Sequence, residues 1–372
     1  SIPNPDNFQD EEDTTAEAYS LDPSISPQPK QLIQIDPNAQ TSDFIGMTQA
    51  IFQDARATRF VLILYYCNIF LVLGDYILVM SHAVAGLIGE DWICVPAAGI
   101  LASTLMFAVS QLRTMTLLGR SASAISLLCL AVVVFQCLIT LHYTETKPTS
   151  VPPTPSIWAK FSSIASIGFA VGSQKLFLNI RHELRDRNSA PKSLGLSVTV
   201  FGASYVAVCL LAGPAPPSFL FDALPIGSWN RRIGGLLLWM HVVVSYAINC
   251  QAIGSSIDRL FFHKIEFAGL NSKHALRWLF LTLMLSMSSY LVANFIPFFK
   301  DLLGLIGALT SVPLTLSLPA IFWRKAKGIT SVWNVSFALL AFSVLFLFFG
   351  MIGAVDSIAL DWRNHGPPFS CY

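Results

Sequence analysis

Residues 60–84 read FVLILYYCNIFLVLGDYILVMSHAV, a run that holds a single acidic residue, Asp75, and no basic residue other than His82. A helix needs roughly 20 apolar residues to cross the hydrocarbon core of a bilayer, and this stretch meets that length. Eight further segments do the same, at 93–112, 121–142, 157–180, 194–213, 232–256, 275–296, 299–323 and 331–354. None alternates in the way a β-barrel strand would. The reading is an all-α transmembrane bundle of nine spans.

Composition agrees. Apolar residues make up 53% of the chain and charged residues 12%, about half the charged share of soluble domains. The net charge is +1, so nothing points to a nucleic-acid partner. The expected partners are the lipid bilayer and a small solute. Cys67, Cys129, Cys137, Cys209 and Cys250 lie inside apolar runs, where a thiol acts as a small hydrophobe. Cys94 and Cys371 lie outside them, and the sequence itself gives no support for pairing them. No metal-ligand spacing is present, so neither a metal nor another cofactor is expected beyond a coupling ion, H+ or Na+. There is no H-E-x-x-H, no G-x-S-x-G and no paired aspartate motif, which argues against an enzyme.

The chain divides into four parts. Residues 1–42 are acidic and Pro-rich, with Asp10, Glu11, Glu12 and Asp13 in a row; such a composition predicts a disordered tail. Residues 43–59 have an amphipathic pattern and fit either an interfacial helix or an extension of the first span. Residues 60–354 form the membrane domain, and 355–372 a short tail on the non-cytosolic side. Orientation follows from the basic residues. With the N-terminus in the cytosol, one side receives fifteen lysines and arginines, from Arg56 to Lys327, and the other six, among them Arg231, Arg232 and Lys300. The Asn334-Val335-Ser336 sequon then lies on the cytosolic side and should carry no glycan.

Polar groups inside a membrane are costly and ask for a partner or a cavity. In the first span Asn68, Asp75 and His82 recur every seven residues and so share a helix face. Asp75 could carry a proton, contact a solute or bond to a neighbouring helix. The sixth span has a second stripe, His241, Ser245, Asn249 and Ser256, with Tyr246 and Gln251 close by. The fourth span contains Gly168-Phe169-Ala170-Val171-Gly172-Ser173-Gln174-Lys175. Small residues there permit either a broken helix that exposes backbone to a ligand or close helix packing. Pro297, Pro313 and Pro319 mark kinks in or near the eighth span.

Three of these stretches resemble the amino acid/auxin permease family. Phe169–Gln174 with Arg181-His182-Glu183-Leu184 resembles the family's sixth span. Trp239-Met240-His241 through Tyr246–Gln251 resembles its eighth. Asn294-Phe295-Ile296-Pro297-Phe298-Phe299 with Leu303–Ala308 and Leu318-Pro319-Ala320 resembles the turn from its ninth to its tenth. The resemblance covers roughly residues 43–325. It implies a leucine-transporter-type fold of two inverted five-helix repeats, in which the nine spans here match the third to eleventh and the first two are lacking. A start at Ser1 fits a fragment of such a protein. The resemblance also implies secondary active transport of amino acids, neutral ones by preference, driven by protons or sodium. It places the protein in a plasma or vacuolar/endolysosomal membrane. Asn68, Phe169, Gly172, Ser173 and Gln174 would contact the substrate, and Asp75, Asn249 and Gln251 would serve ion or proton coupling. Ala252 stands where many relatives have proline, a departure close to that coupling set. The competing reading is a membrane sensor that binds amino acids without moving them.

Overall fold

The computed structural model describes residues 44–111, 120–143, 156–170, 172, 177–178, 181, 186–213, 216–262, 272–332 and 334–371. The expected disordered tail lies outside them, as do Ser173 and Gln174. The described residues are helical and contain no strand. Seven helices are long and apolar enough to cross a membrane. Two of the nine expected spans, 93–112 and 157–180, take the form of shorter apolar helices, Val95–Val109 and Ile157–Ala170.

Helix α1 (Phe44–Phe52) buries Phe44, Thr48 and Ile51. It ends at Gln53, whose φ of 52° leaves the helical region. Asp54 then caps α2 (Ala55–Ile88) by accepting from the Arg56 backbone N–H at 3.0 Å, a standard way to satisfy a first-turn donor. Residues 43–59 thus hold a separate short helix and the first turns of the next. At 34 residues α2 is about 50 Å long, and it forms the hub of the bundle. Tyr65, Asn68, Ile69, Leu73, Ile77 and Met80 on it are closed off from solvent. It stops at Gly89, which has φ 121° and returns its N–H to Ala85.

The remaining helices are α3 (Val95–Val109), α4 (Arg120–Tyr143), α5 (Ile157–Ala170), α6 (Ala190–Ala212), α7 (Trp229–Phe262), α8 (Ser272–Phe295), α9 (Phe299–Ala326) and α10 (Val335–His365). Helices α7, α8 and α3 pack around α2, while α9 and α10 enclose α5. The α5 contacts depend on glycine. A Cβ on Gly307 of α9 would stand 1.8 Å from the Ala165 carbonyl oxygen, and one on Gly353 of α10 2.6 Å from that of Trp158. Backbones can approach this closely only where side chains are absent. By contrast α6 leaves its whole apolar stretch uncovered. Helix α10 continues past the expected end at 354, because nothing stops it before Gly366, where φ is 104°. At its start the Asn334 side chain accepts from the Ser336 N–H at 3.1 Å, so the sequon asparagine serves as a helix cap.

Several helix ends and loops meet at one end of the bundle. Arg231, at the start of α7, is 4% exposed and uses every guanidinium donor. Nε and Nη2 donate to Glu90, Nη2 also to Asp222, and Nη1 to the carbonyls of Phe221 and Leu224. The guanidinium also lies over the Phe221 ring, 4.7 Å from its centroid. One arginine therefore ties the end of α2 to the turn at Leu220–Ala223 and to α7. On the same side Cys94, capping α3, is bonded to Cys371, and Phe369 donates its N–H to Asn294 at the end of α8. On the opposite side the Lys325 ammonium stands over the Phe52 ring, which holds α1 against the last turn of α9.

Candidate functional site

Helix α9 is the element in which sequence and structure differ most. Prolines 313 and 319 predict kinks; the structure keeps the helix continuous but widens it. Gly307–Ser311 and Pro313–Ser317 are π-helical turns, with the Val312 N–H reaching back to Gly307 and the Leu318 N–H to Pro313. Proline cannot donate the usual bond to the residue four before it, and a shift to i→i+5 bonding absorbs that loss. Such bulges recur at functional sites. The widened turns carry four hydroxyls; Thr310, Ser311 and Thr315 are buried, while half-buried Ser317 pairs with Ser343 of α10 at 2.7 Å.

Asn68, fully buried on α2, donates through Nδ2 to Thr310 Oγ1 at 2.7 Å and to Ser311 Oγ at 3.1 Å. Its Oδ1 has no partner among the described residues. Gly172, just beyond α5, comes to the same place. A Cβ there would sit 3.0 Å from Ser311 Cβ, 3.2 Å from its Oγ and 3.7 Å from Thr315 Oγ1. Phe169 follows from α5, its backbone nitrogen beside Gly307 and its ring half-buried against the core. The Thr315 hydroxyl is likewise buried without a partner among the described residues. It also lines a cavity of about 290 Å³ walled by Phe44, Met47, Ile51, Leu314 and Phe322, so the cluster adjoins a space that opens beside α1.

Of the sequence-predicted residues, Asn68, Phe169 and Gly172 are thus brought together. Asp75 lies two turns along the same face of α2, buried and roughly 10 Å from Asn68 along the axis. Beside it the Tyr76 hydroxyl accepts from Asn249 Nδ2 at 3.4 Å. Asn249 also donates to Ser245 O at 2.9 Å, and its Oδ1 has no partner among the described residues. Gln251 is buried as well, but two residues on from Asn249 it is turned about 200° around α7. It does not join the Tyr76 face. The stripe on α7 splits in the same manner. His241 Nδ1 pairs with Ser126 of α4 at 2.9 Å, while Ser256 pairs with Tyr66 of α2 at 3.2 Å.

The sequence reading missed Thr310, Ser311 and Thr315. The available signal was a Thr-Ser pair two residues ahead of a proline in an apolar run, a pattern that equally suits helix packing. The arrangement joins an amide oxygen and two kinds of hydroxyl with a buried glycine whose backbone no side chain covers. These are acceptors for an ammonium group and donors for a carboxylate, with no formal charge among the described residues that meet at Ser311.

Comparison with known proteins identifies the family of the chain. The chain is 24% identical over 216 residues to Lysine histidine transporter-like 6 of Arabidopsis thaliana, covering 54% of this chain and 48% of that protein. It is 24% identical over 246 residues to Amino acid permease 3 of the same plant, covering 59% and 51%. A Transmembrane transporter of Fusarium pseudograminearum is 23% identical over 296 residues, covering 72% and 60%. The chain spans about half the length of the plant relatives it matches. No solved structure matches it. The profile of the family described as transmembrane amino acid transporter protein matches residues 53–360, and the chain belongs to that family.

Proposed function

We propose that this protein carries out secondary active transport of amino acids, with the substrate held where Asn68, Gly172, Thr310, Ser311 and Thr315 converge. One observation carries the reading: two residues far apart in sequence, Asn68 of α2 and Gly172 beyond α5, meet on the same Ser311 of a widened helix. The Asn68 and Thr315 oxygens are buried and unpartnered among the described residues, and burying a polar atom without a bond costs about 1–3 kcal/mol. A substrate ammonium would satisfy them. The described residues that meet at Ser311 carry no formal charge, which favours neutral side chains. Ser173 and Gln174 extend the substrate set next to Gly172, and Phe169 closes it from α5. Asp75, Tyr76 and Asn249 form the coupling path for H+ or Na+, with Gln251 on the far face of α7.

In this reading the seven long helices and the two shorter ones are nine spans, equivalent to the third to eleventh of a leucine-transporter-type fold. The N-terminus is cytosolic, and the membrane is the plasma or the vacuolar/endolysosomal one. Uptake of labelled neutral amino acids into proteoliposomes, under imposed proton or sodium gradients, tests it. Asn68→Leu should lower uptake tenfold or more, because a hydrogen bond to a charged group contributes about 1.5–3 kcal/mol. Unchanged uptake in that variant would move the site elsewhere. Binding without flux in the parent would replace transport by sensing.

A further inference from the structure

The cavity beside α1 follows the second half of α9 as far as its last turn. Helix α1 lends it Phe44 and Ile51, and α9 lends Pro319, Phe322, Trp323 and Ala326, spaced to share one helix face. From Thr315 to Ala326 the groove accompanies about 16 Å of helix. Among the described residues that wall it, only Thr315 and Trp323 carry a hydrogen-bond donor on the side chain. The Thr315 end meets the amino-acid contacts. The Trp323 end is the mouth, since Trp323 is 56% exposed, and a tryptophan at a helix end suits the depth of lipid headgroups.

Two cations flank that mouth. Ala326 lies between Lys325 and Lys327, and both lysines are exposed. The Lys325 ammonium stands 4.3 Å from the centroid of Phe52, next to Ile51, and donates to the Phe52 carbonyl at 3.4 Å. The Lys327 ammonium stands 5.3 Å from the centroid of Trp323. Lysines at the end of any helix complement its dipole, but that role does not require them to lie over rings at the end of a groove. Among the described residues the ion pairs are those of Arg231, so neither lysine has an acidic partner there. Residues 44–59 and 321–331 together carry Arg56, Arg59, Arg324, Lys325 and Lys327 against one acid, Asp54, and Asp54 already accepts from the Arg56 N–H at 3.0 Å.

We infer that this groove holds one acyl chain of an anionic phospholipid, with the lipid phosphate between Lys325 and Lys327. A peptide in the same place, the acidic N-terminal residues of this chain included, would bury N–H and C=O groups against walls that offer them almost no partner. An acyl chain carries no such groups. Hydrocarbon gains little by leaving the bilayer for an equally apolar groove, so the groove admits the chain by shape and the ammonium groups select the headgroup. A lysine near an anionic lipid contributes about fivefold in affinity, hence about 25-fold for the two.

Native mass spectrometry of the detergent-purified full chain tests this, with dioleoylphosphatidylglycerol and dioleoylphosphatidylcholine as separate probes. One phosphatidylglycerol per chain should be retained about 25-fold more tightly than phosphatidylcholine. Lys325→Gln with Lys327→Gln should remove that preference. Ala326→Trp, which fills the mouth and keeps both charges, should abolish the retained lipid. All three positions are exposed, so these variants should fold. A preference that persists in the lysine variant would overturn the site, as would one lost equally in Lys160→Gln with Arg363→Gln, exposed cations of α5 and α10. Tight retention in Ala326→Trp would show charge attraction without a groove and would overturn it too. Retention seen only after removal of residues 1–43 would make that segment the occupant in place of a lipid. The readout needs no amino acid, so failure here leaves the Ser311 site standing, and failure of uptake leaves the lipid site standing.

Discussion

Gly307→Ala is expected to be the most damaging single-methyl change in the bundle. The added carbon would lie 1.8 Å from the Ala165 carbonyl oxygen, 2.7 Å from its carbon and 3.1 Å from the Phe169 nitrogen. All three are backbone atoms of α5 and cannot rotate away. Relief requires α5 and α9 to separate, and α10 grips α5 from another side through Gly353. Overpacking in a rigid core costs about 1–3 kcal/mol and sometimes more; the backbone nature of this clash puts Gly307→Ala at the upper end or beyond. The same shift would pull Gly172 from Ser311. Thermal melting of detergent-purified protein, followed by size-exclusion chromatography, is the measurement. The controls are Gly195→Ala and Gly202→Ala on α6, where nothing lies within 4 Å of the new carbon. These should be neutral or stabilising, because alanine is the better helix former by up to about 1 kcal/mol. Equal melting of Gly307→Ala and the controls would refute the close α5–α9 contact.

Arg231→Met is the second large effect. Methionine retains much of the apolar stem but leaves Glu90 and Asp222 without their cation and takes one donor from each of two carbonyls, of which that of Phe221 keeps the Leu224 N–H at 3.1 Å. Breaking a buried ion pair costs about 3–5 kcal/mol. Glu90 and Asp222 retain 24% and 42% side-chain exposure, so solvent recovers part of that, and a loss of about 3 kcal/mol is expected. Arg231→Lys should recover little, because a lysine ammonium cannot match a planar fork of five donors. The triple variant Arg231→Met, Glu90→Gln, Asp222→Asn should melt above Arg231→Met alone, since no unpaired charge remains. An Arg231→Met protein as stable as wild type would show that this clamp does not hold the end of α2 to the 216–228 loop.

The residues that the sequence discloses and those it hides differ in how local their cause is. Apolar length is a local property, so the helices emerge close to the segments expected from hydropathy, including the two short ones. The seven-residue spacing of Asn68, Asp75 and His82 is local as well, and it places all three on the inner side of α2. Arg231 is different. Counted among loop cations, it proves buried, because its partners Glu90 and Asp222 come from a preceding helix end and a loop turn. Thr310 and Ser311 are two hydroxyls in an apolar run, and nothing nearby marks them until Asn68 arrives from 242 and 243 residues away. The widening of α9 depends both on Pro313 and on the backbone of α5 against Gly307, and only the first is visible in the sequence. Cys94 and Cys371, 277 residues apart, likewise meet only once the tail folds back.

The central claim is that an amino acid occupies the space at Ser311. Substituted-cysteine protection measures that occupancy. In a background where Cys67, Cys129, Cys137, Cys209 and Cys250 are replaced and the Cys94–Cys371 pair is kept, Ser311→Cys is labelled with a small methanethiosulfonate. The neutral amino acid taken up best is then added at ten times its Kd. If that amino acid sits against Ser311, labelling should slow about tenfold, in proportion to the fraction of unoccupied sites. Labelling at the same rate with and without the amino acid, in a protein that still binds it, would contradict the account.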